Sequence, residues 1–183
     1  MGRSTKEQAD ANHRKIVAAA GNLFRSRGYE AVGIADVMKA AGLTQGGFYK
    51  HFASKEALAA EAWSEGFELS SALWKRKEKD TPAADIIDYY LAPKPPEHRC
   101  PMAAHGEEAA RMEKGCELRG VYAEGAETLF ETFMDAAKAS SMAKDRAQLL
   151  FAAMIGANML GRATDDADWV AALKKTVKAA SKG

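Results

Sequence analysis

The run of residues 34–58 constrains the fold most, reading IADVMKAAGLTQGGFYKHFASKEAL. Apolar residues in 34–41 recur at the three- and four-residue spacing of one helix face. Gly42 follows, where a helix commonly ends in the left-handed conformation that glycine tolerates. Two helices joined by a short turn with glycine form a helix-turn-helix. The run therefore predicts this motif, with residues 45–51 as its second helix.

The second helix has two glycines, Gly46 and Gly47, in its first turn. Glycine costs roughly 1 kcal/mol against alanine in a helix, and close approach of the backbone to another surface is one reason to accept that cost. Phe48 and Phe52 are four residues apart, so both are expected to pack inward. The outer face is then expected to carry Tyr49, Lys50 and His51.

Two segments resemble TetR-family transcriptional regulators. Residues 42–58 are similar to the family's recognition-helix signature, and residues 15–42, KIVAAAGNLFRSRGYEAVGIADVMKAAG, are similar to its first two helices. The resemblance covers about residues 10 to 60. It implies an all-α protein with an N-terminal three-helix DNA-binding domain and a C-terminal helical ligand-binding and dimerisation domain. Many members have a threonine or serine entering helix two and an arginine early in it. Val32, Gly33 and Ala35 stand there instead, so fewer DNA contacts from helix two are expected.

The predicted DNA-binding residues are divided by the chemistry of their side chains. Gln45, Gly46 and Gly47 are expected at the base-reading end, because glutamine can pair bidentately with adenine. The residues assigned mainly to phosphates are Thr44, Tyr49, Lys50 and Lys55, while His51 is left open between the two roles. Residues 1–55 carry nine Lys/Arg and four Asp/Glu, whereas the remainder carries 17 and 21. A basic N-terminal third suits a DNA-binding head.

About nine helices and no convincing strand are predicted. Residues 1–54 are expected to form the DNA-binding domain, with 1–9 as a flexible basic arm. Residues 55–183 are expected to form the effector-binding and dimerisation domain. Thr44, Ser54, Thr81 and Cys100 are the expected N-caps of four helices, two of which then begin with proline. The predicted helices are 10–27, 34–41, 45–51, 54–78, a helix from 82, 101–115, 117–139, 144–164 and 166–180.

The eighth predicted helix is apolar on most sides, which requires burial on more than one side. Pairing the last two helices with those of a second copy would provide that burial as a four-helix interface. An ordinary core helix within one chain is the alternative. A dimer would place paired recognition helices on a palindromic operator. The predicted interface residues are Leu149, Met154, Ile155, Gly156, Met159, Leu160, Trp169, Leu173 and Val177.

Aromatic and thioether side chains recur along the middle helices. At helical spacing they are more often core than cavity, but binding sites are also mostly apolar. The family resemblance implies an inducer pocket among helices four to seven. Our hypothesis is that ligand binding there moves helix four and separates the two DNA-binding heads. The predicted effector residues are Trp63, Phe67, Tyr90, Met102, His105, Tyr122 and Phe130. Glu107 and Glu108 are further candidate polar groups.

Cys100 is a candidate sensor thiol, because free N–H groups at a helix start and the adjacent basic residues favour thiolate. An electrophile- or redox-sensing regulator, with Cys116 as the second thiol, is therefore an alternative function. A buried thiol acting as a small apolar residue is the simpler interpretation. A metal site from His98, Cys100, His105 and Cys116 lacks the paired short spacings of zinc sites. No metal and no cofactor are predicted.

The remaining function classes are less well supported by the sequence. The sequence has no glycine-rich loop after a strand, no nucleophile elbow and no HExxH helix. An enzyme is therefore not predicted. A scaffold would leave Tyr49, Lys50 and the two glycines unexplained. No apolar run approaches the ~18 residues that span a bilayer, and the first 15 residues lack a signal peptide's apolar segment. The prediction is a cytoplasmic homodimeric repressor, released from its DNA operator by a largely apolar small molecule.

Overall fold

The computed structural model describes residues 2–76 and 82–182, with side chains described from residue 6 onward. Within these ranges it has eight α-helices, two 3₁₀ helices and no β-strand, which confirms the all-α prediction. The α-helices are α1 (Gly2–Arg27), α2 (Ile34–Ala40), α3 (Lys55–Lys75), α4 (Pro82–Tyr90), α5 (Pro101–Arg111), α6 (Glu117–Ala139), α7 (Lys144–Ala163) and α8 (Asp168–Ala180). The 3₁₀ helices are Gln45–Lys50, called the short helix below, and Pro96–His98.

Three elements differ from the prediction. Helix α1 begins at Gly2, so residues 2–9 are helical and not a flexible arm. Residues 3–9 contain no glycine or proline and are mostly good helix formers, so nothing in them stops the helix. The short helix is 3₁₀ because six residues with two early glycines suit a short 3₁₀ piece better than an α-helix. Pro96–His98 adds a turn inside the predicted proline loop. The predicted Thr81 cap lies outside the described residues.

The chain forms two compact units. The first contains the residues up to Phe67 together with Pro95–Gly125, and the second contains Glu68–Lys94 with the residues from Ala126 onward. This division differs from the predicted boundary between residues 54 and 55. The reason is that α5 and α6 supply Ala109 and Leu118 to the core of the first unit.

The core of the first unit holds the predicted helix-turn-helix. Large side chains from α1 (Phe24), α2 (Met38), the short helix (Phe48) and α3 (Trp63) are fully buried in it. Gly42 has φ +71°, as predicted for the residue that ends α2. Its N–H donates to the Lys39 carbonyl, and the next N–H reaches the Met38 carbonyl. This pair of hydrogen bonds is a Schellman motif, which directs the chain into the turn.

The second unit is built from the end of α3, from α4, from the later part of α6, and from α7 and α8. Trp74 packs edge-on against Tyr90, and both rings are buried. The Asn158 amide donates to the Tyr90 carbonyl at 3.1 Å, which links α7 to α4. The hydroxyls of Ser71 and Thr132 lie 3.0 Å apart and are buried, linking α3 to α6 within this unit.

Candidate nucleic-acid interface

The short helix presents a polar surface with one exposed aromatic ring. Tyr49 is 73% exposed. The other exposed residues of the predicted DNA-binding set are Thr44, Gln45, Gly46 and Lys50, and the half-buried ones are Gly47, His51 and Lys55. All eight belong to one continuous segment, residues 44–55. The predicted residues are therefore accessible on the first unit.

Packing beneath the short helix fixes its outward face. Phe48 and Phe52 are buried with ring centroids 5.8 Å apart, which confirms the predicted inward packing. A Cβ added at Gly47 would lie 3.7 Å from the Met38 methyl, whereas a Cβ at Gly46 would meet no atom within 4 Å. The backbone at Gly46 is therefore open to an approaching surface. Nothing in the surrounding described residues requires glycine there.

Two side chains beside the short helix differ from the prediction. Thr44 occupies the expected N-cap position, but the predicted side-chain cap is wrong because its hydroxyl makes no capping hydrogen bond. Instead the Thr44 carbonyl accepts from the Gly47 N–H at 3.0 Å. The Lys55 ammonium lies 4.2 Å from the centroid of the Tyr29 ring, in a cation–π contact. Ser54 caps α3 as predicted, accepting from the Ala57 N–H at 3.0 Å.

His13 supports the end of the short helix and was not identified from the sequence. Its ring stacks on Phe52 with centroids 4.5 Å apart, and its Nε2 lies 2.7 Å from a Glu61 carboxylate oxygen. The His51 ring lies 6.2 Å from it, centroid to centroid. His13 and Glu61 are 48 residues apart, so no local pattern could have paired them.

The seven predicted effector residues divide between the two units. Tyr90 and Phe130 belong to the second unit, and the other five belong to the first. In the first unit the Trp63 ring stacks on His105 with centroids 4.3 Å apart. The Tyr122 hydroxyl donates to the Met102 carbonyl at 3.1 Å, and its ring meets Phe67 edge-on. These contacts form two groups, the Trp63–His105 stack and Tyr122 with Phe67 and the Met102 backbone, and the stack is called the packed cluster below.

Three polar groups near the packed cluster differ in their burial and in their partners. The Trp63 Nε1–H, beside His105, is buried with no hydrogen-bond acceptor among the described residues. Glu108 is 18% exposed and lies 3.4 Å from His105 Nδ1. Glu107 is 72% exposed and pairs with Arg111 on the surface at 3.0 Å. Of the two adjacent carboxylates, only Glu108 therefore reaches the packed cluster.

Cys100 occupies the N-cap of α5 with Pro101 after it, as predicted. Its side chain is half-buried and makes no capping hydrogen bond. Cys116 is also a thiol and donates to a Glu56 carboxylate oxygen at 3.4 Å. Burial raises the pKa of the Tyr122 hydroxyl, and the nearby Cys100 adds to that rise. In the described part of the chain, no group of three or more histidine, cysteine or acidic side chains could hold a metal ion.

Arg25 ties α1 to the loop before α5. Its Nε donates to the Glu97 carbonyl at 2.7 Å. A Cβ at Gly66 would lie 3.0 Å from its guanidinium, which therefore occupies space beside α3. Burial lowers the pKa of Arg25, while attraction to Glu65 and Cys100 opposes that change. No local sequence pattern identifies this residue, because its partner is 72 residues away.

The predicted interface residues on α7 and α8 separate into exposed and buried sets. Met154 and Val177 are buried in the core of the second unit, so they are not available to a second copy. Ile155 and Gly156 are half-buried. The exposed members are Leu149, Met159, Leu160, Trp169 and Leu173.

The fold matches solved structures over nearly the whole chain. A TetR transcriptional regulator from Chloroflexus aurantiacus is 26% identical, with a TM-score of 0.75, over 94% of this chain and 95% of that one. Residues 16–62 match the family model described as bacterial regulatory proteins, tetR family. The N-terminal part of this chain is therefore similar to the TetR family. The matched residues cover α2, the short helix and most of their supporting core.

Sequence similarity to a curated relative covers about a third of the chain. The transcriptional regulator AcrR of Shigella flexneri is 36% identical over 63 residues, which are 34% of this chain and 29% of AcrR. A structure from Saccharomonospora viridis that contains choline shares the fold at 17% identity, with a TM-score of 0.72, over 90% of this chain and 92% of that one. The family model is described as regulatory proteins, and AcrR is described as a transcriptional regulator. Across the described residues, no helix is long and apolar enough to cross a membrane.

Proposed function

We propose that this chain is a TetR-family regulator of transcription, which binds DNA sequence-specifically and acts as a repressor. The observation that carries the proposal is the surface of the short helix. Gly46 leaves its backbone open, and exposed Gln45, Tyr49 and Lys50 surround that opening. The second helix of a helix-turn-helix reads the major groove with its N-terminal residues. An open glycine at that end allows the backbone to approach base edges.

The side chains of this segment suit two kinds of DNA contact. Gln45 is exposed at the N-terminus of the short helix, where a bidentate pair with adenine is worth about 1–3 kcal/mol of discrimination. Lys50 and Tyr49 are exposed on the same segment and are assigned to phosphate oxygens. Thr44 joins them because its hydroxyl is not used for capping. Phosphate contacts set orientation, while base contacts set sequence.

A homodimer on a palindromic operator completes the proposal. Exposed Leu149, Met159 and Trp169 on α7 and α8 are large apolar side chains that a second copy would cover. Clusters of exposed apolar side chains commonly mark interfaces. A two-fold dimer presents two copies of the short helix to half-sites about 34–36 Å apart. We place the regulator in the cytoplasm with its DNA.

A small-molecule effector is the proposed signal. The cluster around Trp63 and His105 is largely apolar and contains a buried indole N–H that is available to a ligand acceptor. The similar structure with choline indicates that this fold admits small molecules. We propose that ligand binding moves α3 and thereby lowers affinity for the operator. A ligand that binds this cluster and leaves operator affinity unchanged would contradict this step.

Selection of bound duplexes from a random DNA pool tests the regulator directly. The expected winner is palindromic, and its affinity should fall steeply with salt, because each neutralised phosphate contributes about 0.9 to the slope of log affinity against log salt. Lys50→Ala should weaken binding to all duplexes and lower that slope. Lys138→Ala, which removes an exposed lysine at the end of α6, is the matched control. Failure to enrich any sequence would contradict the proposal.

A further inference from the structure

A carboxylate of α5 holds the turn between α1 and α2. The Tyr29 backbone N–H donates to Glu108 Oε1 at 2.5 Å, across 79 residues of sequence. Gly28, just before it, has φ +89°, and a Cβ there would lie 3.0 Å from the same oxygen. The carboxylate thus approaches the backbone beside the space that a side chain would occupy. A charged acceptor makes this a stronger hydrogen bond than a neutral pair would form.

The other oxygen of Glu108 faces the packed cluster. Glu108 Oε2 lies 3.4 Å from His105 Nδ1. His105 is 1% exposed, and its ring is nearly parallel to that of Trp63, with 14° between the two planes. Glu108 therefore lies between two proposed effector residues and the turn that precedes the helix-turn-helix.

The Tyr29 side chain extends the connection towards DNA. Its ring meets Phe24 and Trp63 edge-on, with centroid distances of 5.5 and 6.3 Å. The Lys55 ammonium lies over the same ring at 4.2 Å. Lys55 is the first residue of α3 and is one of the proposed phosphate contacts. The position of the Tyr29 ring therefore affects the position of the Lys55 ammonium.

We propose that Glu108 is a positioning residue that couples α5 to the DNA-facing surface through Tyr29 and Lys55. The proposal rests on the proposed DNA-binding function. Without the carboxylate, the Tyr29 N–H loses its acceptor and the turn loses its link to α5. The Tyr29 ring then holds Lys55 less closely, and the phosphate contact weakens. A ligand near His105 that draws Glu108 away would have the same effect on operator affinity.

The test compares variants of Glu108 with a neighbouring control on the selected operator. Glu108→Ala should weaken operator binding about tenfold, within the ordinary range of coupling between sites. Glu108→Gln keeps an acceptor without the charge, and since charged hydrogen bonds are roughly twice as strong as neutral ones, a loss of about threefold is expected. Glu107→Ala, on the exposed side of the same helix, should bind like the wild type. Wild-type affinity in folded Glu108→Ala would overturn the proposal. If that variant is not folded by circular dichroism, wild-type affinity in Glu108→Gln would overturn it.

A double-mutant cycle separates positioning from general loss of structure. Lys55→Met removes the cation but keeps an apolar stem. If Glu108 acts through Lys55, the double variant Glu108→Ala with Lys55→Met should bind no more weakly than the weaker single variant. Two losses that multiply would show that Glu108 does not act through Lys55 and would overturn the proposal.

Hydrogen exchange of the Tyr29 amide distinguishes the two possible failures. Its exchange should be faster in Glu108→Ala than in the wild type or Glu107→Ala, with or without DNA. Unchanged exchange would overturn the anchoring contact itself. If the wild type binds no duplex, the proposed function and the coupling to DNA both fail, and faster exchange would still establish that Glu108 holds the turn.

Discussion

Single residues of the short helix carry the DNA-binding proposal. The two glycines have different surroundings, because a Cβ at Gly47 would touch Met38 while one at Gly46 would meet nothing within 4 Å. Gly46 is also not one of the described residues that have a positive φ. Neither packing nor backbone conformation therefore explains glycine at this position. The proposed close approach to DNA would explain it.

Gly46→Ala should separate folding from binding. Alanine is favoured over glycine in helices by about 1 kcal/mol, so the free energy of unfolding should stay the same or rise. Operator affinity should fall, because the added methyl would lie between the backbone and the bases. Denaturant unfolding and duplex titration measure the two quantities.

Gly120→Ala is the control for this substitution, because Gly120 is an exposed helical glycine with nothing within 4 Å of an added Cβ. It should also keep or raise stability while leaving operator affinity unchanged. Equal operator affinity in Gly46→Ala and the wild type would contradict the role given to Gly46.

Some helices pack so closely against each other that a Cβ atom added at a glycine would meet the neighbouring helix. In the first unit α3 and α6 meet where the Phe67 ring lies directly against Gly125, so that an added Cβ would overlap the ring. The Tyr122 hydroxyl lies similarly close to Gly106, with 2.9 Å to an added Cβ. Glycine on one helix thus creates the space for an aromatic ring on another.

Gly125→Ala should destabilise the protein although alanine is the better helix former. Forcing a methyl into this contact displaces Phe67, and overpacking of this kind costs about 1–3 kcal/mol. Gly120→Ala, five residues earlier on the same helix, has open space and should not destabilise. Urea unfolding of both variants measures the difference. A Gly125→Ala variant as stable as Gly120→Ala would show that the ring moves without cost.

At the scale of the whole molecule, the proposed active form is a homodimer. Leu149 is 70% exposed on α7 and Trp169 is 57% exposed on α8. These large apolar side chains are exposed to water in a single copy. Contact with a second copy would remove them from water, which is favourable. A dimer also gives the short helices a fixed separation, on which recognition of a palindrome depends.

Leu149→Glu should dissociate the proposed dimer. Burying an unpaired carboxylate in an apolar interface is strongly unfavourable, so the variant should sediment as a monomer at concentrations where the wild type is dimeric. Leu69→Glu is the control, because Leu69 is a 58% exposed leucine on α3 outside the proposed interface. Loss of the dimer in Leu69→Glu alone would place the interface on α3 instead.

Much of the fold could be predicted because its signals are local. Such local signals are the apolar spacing in residues 34–41, the left-handed glycine at 42, and proline at the start of α4 and α5. The same holds for inward Phe48 and Phe52, which lie on one face of one segment. The eight predicted DNA-binding residues all lie within residues 44–55, so their closeness along the chain followed from the motif.

The sequence by itself determined the helical order, the helix-turn-helix and the residues on its outer face, because spacing and backbone preference act over a few residues. Only the tertiary structure decided that Lys55 lies over Tyr29 and that Met154 and Val177 belong to the core. It also placed Glu108 against the Tyr29 amide, 79 residues away. Such contacts depend on how distant helices pack, and no periodicity in a single chain encodes which side chains will meet.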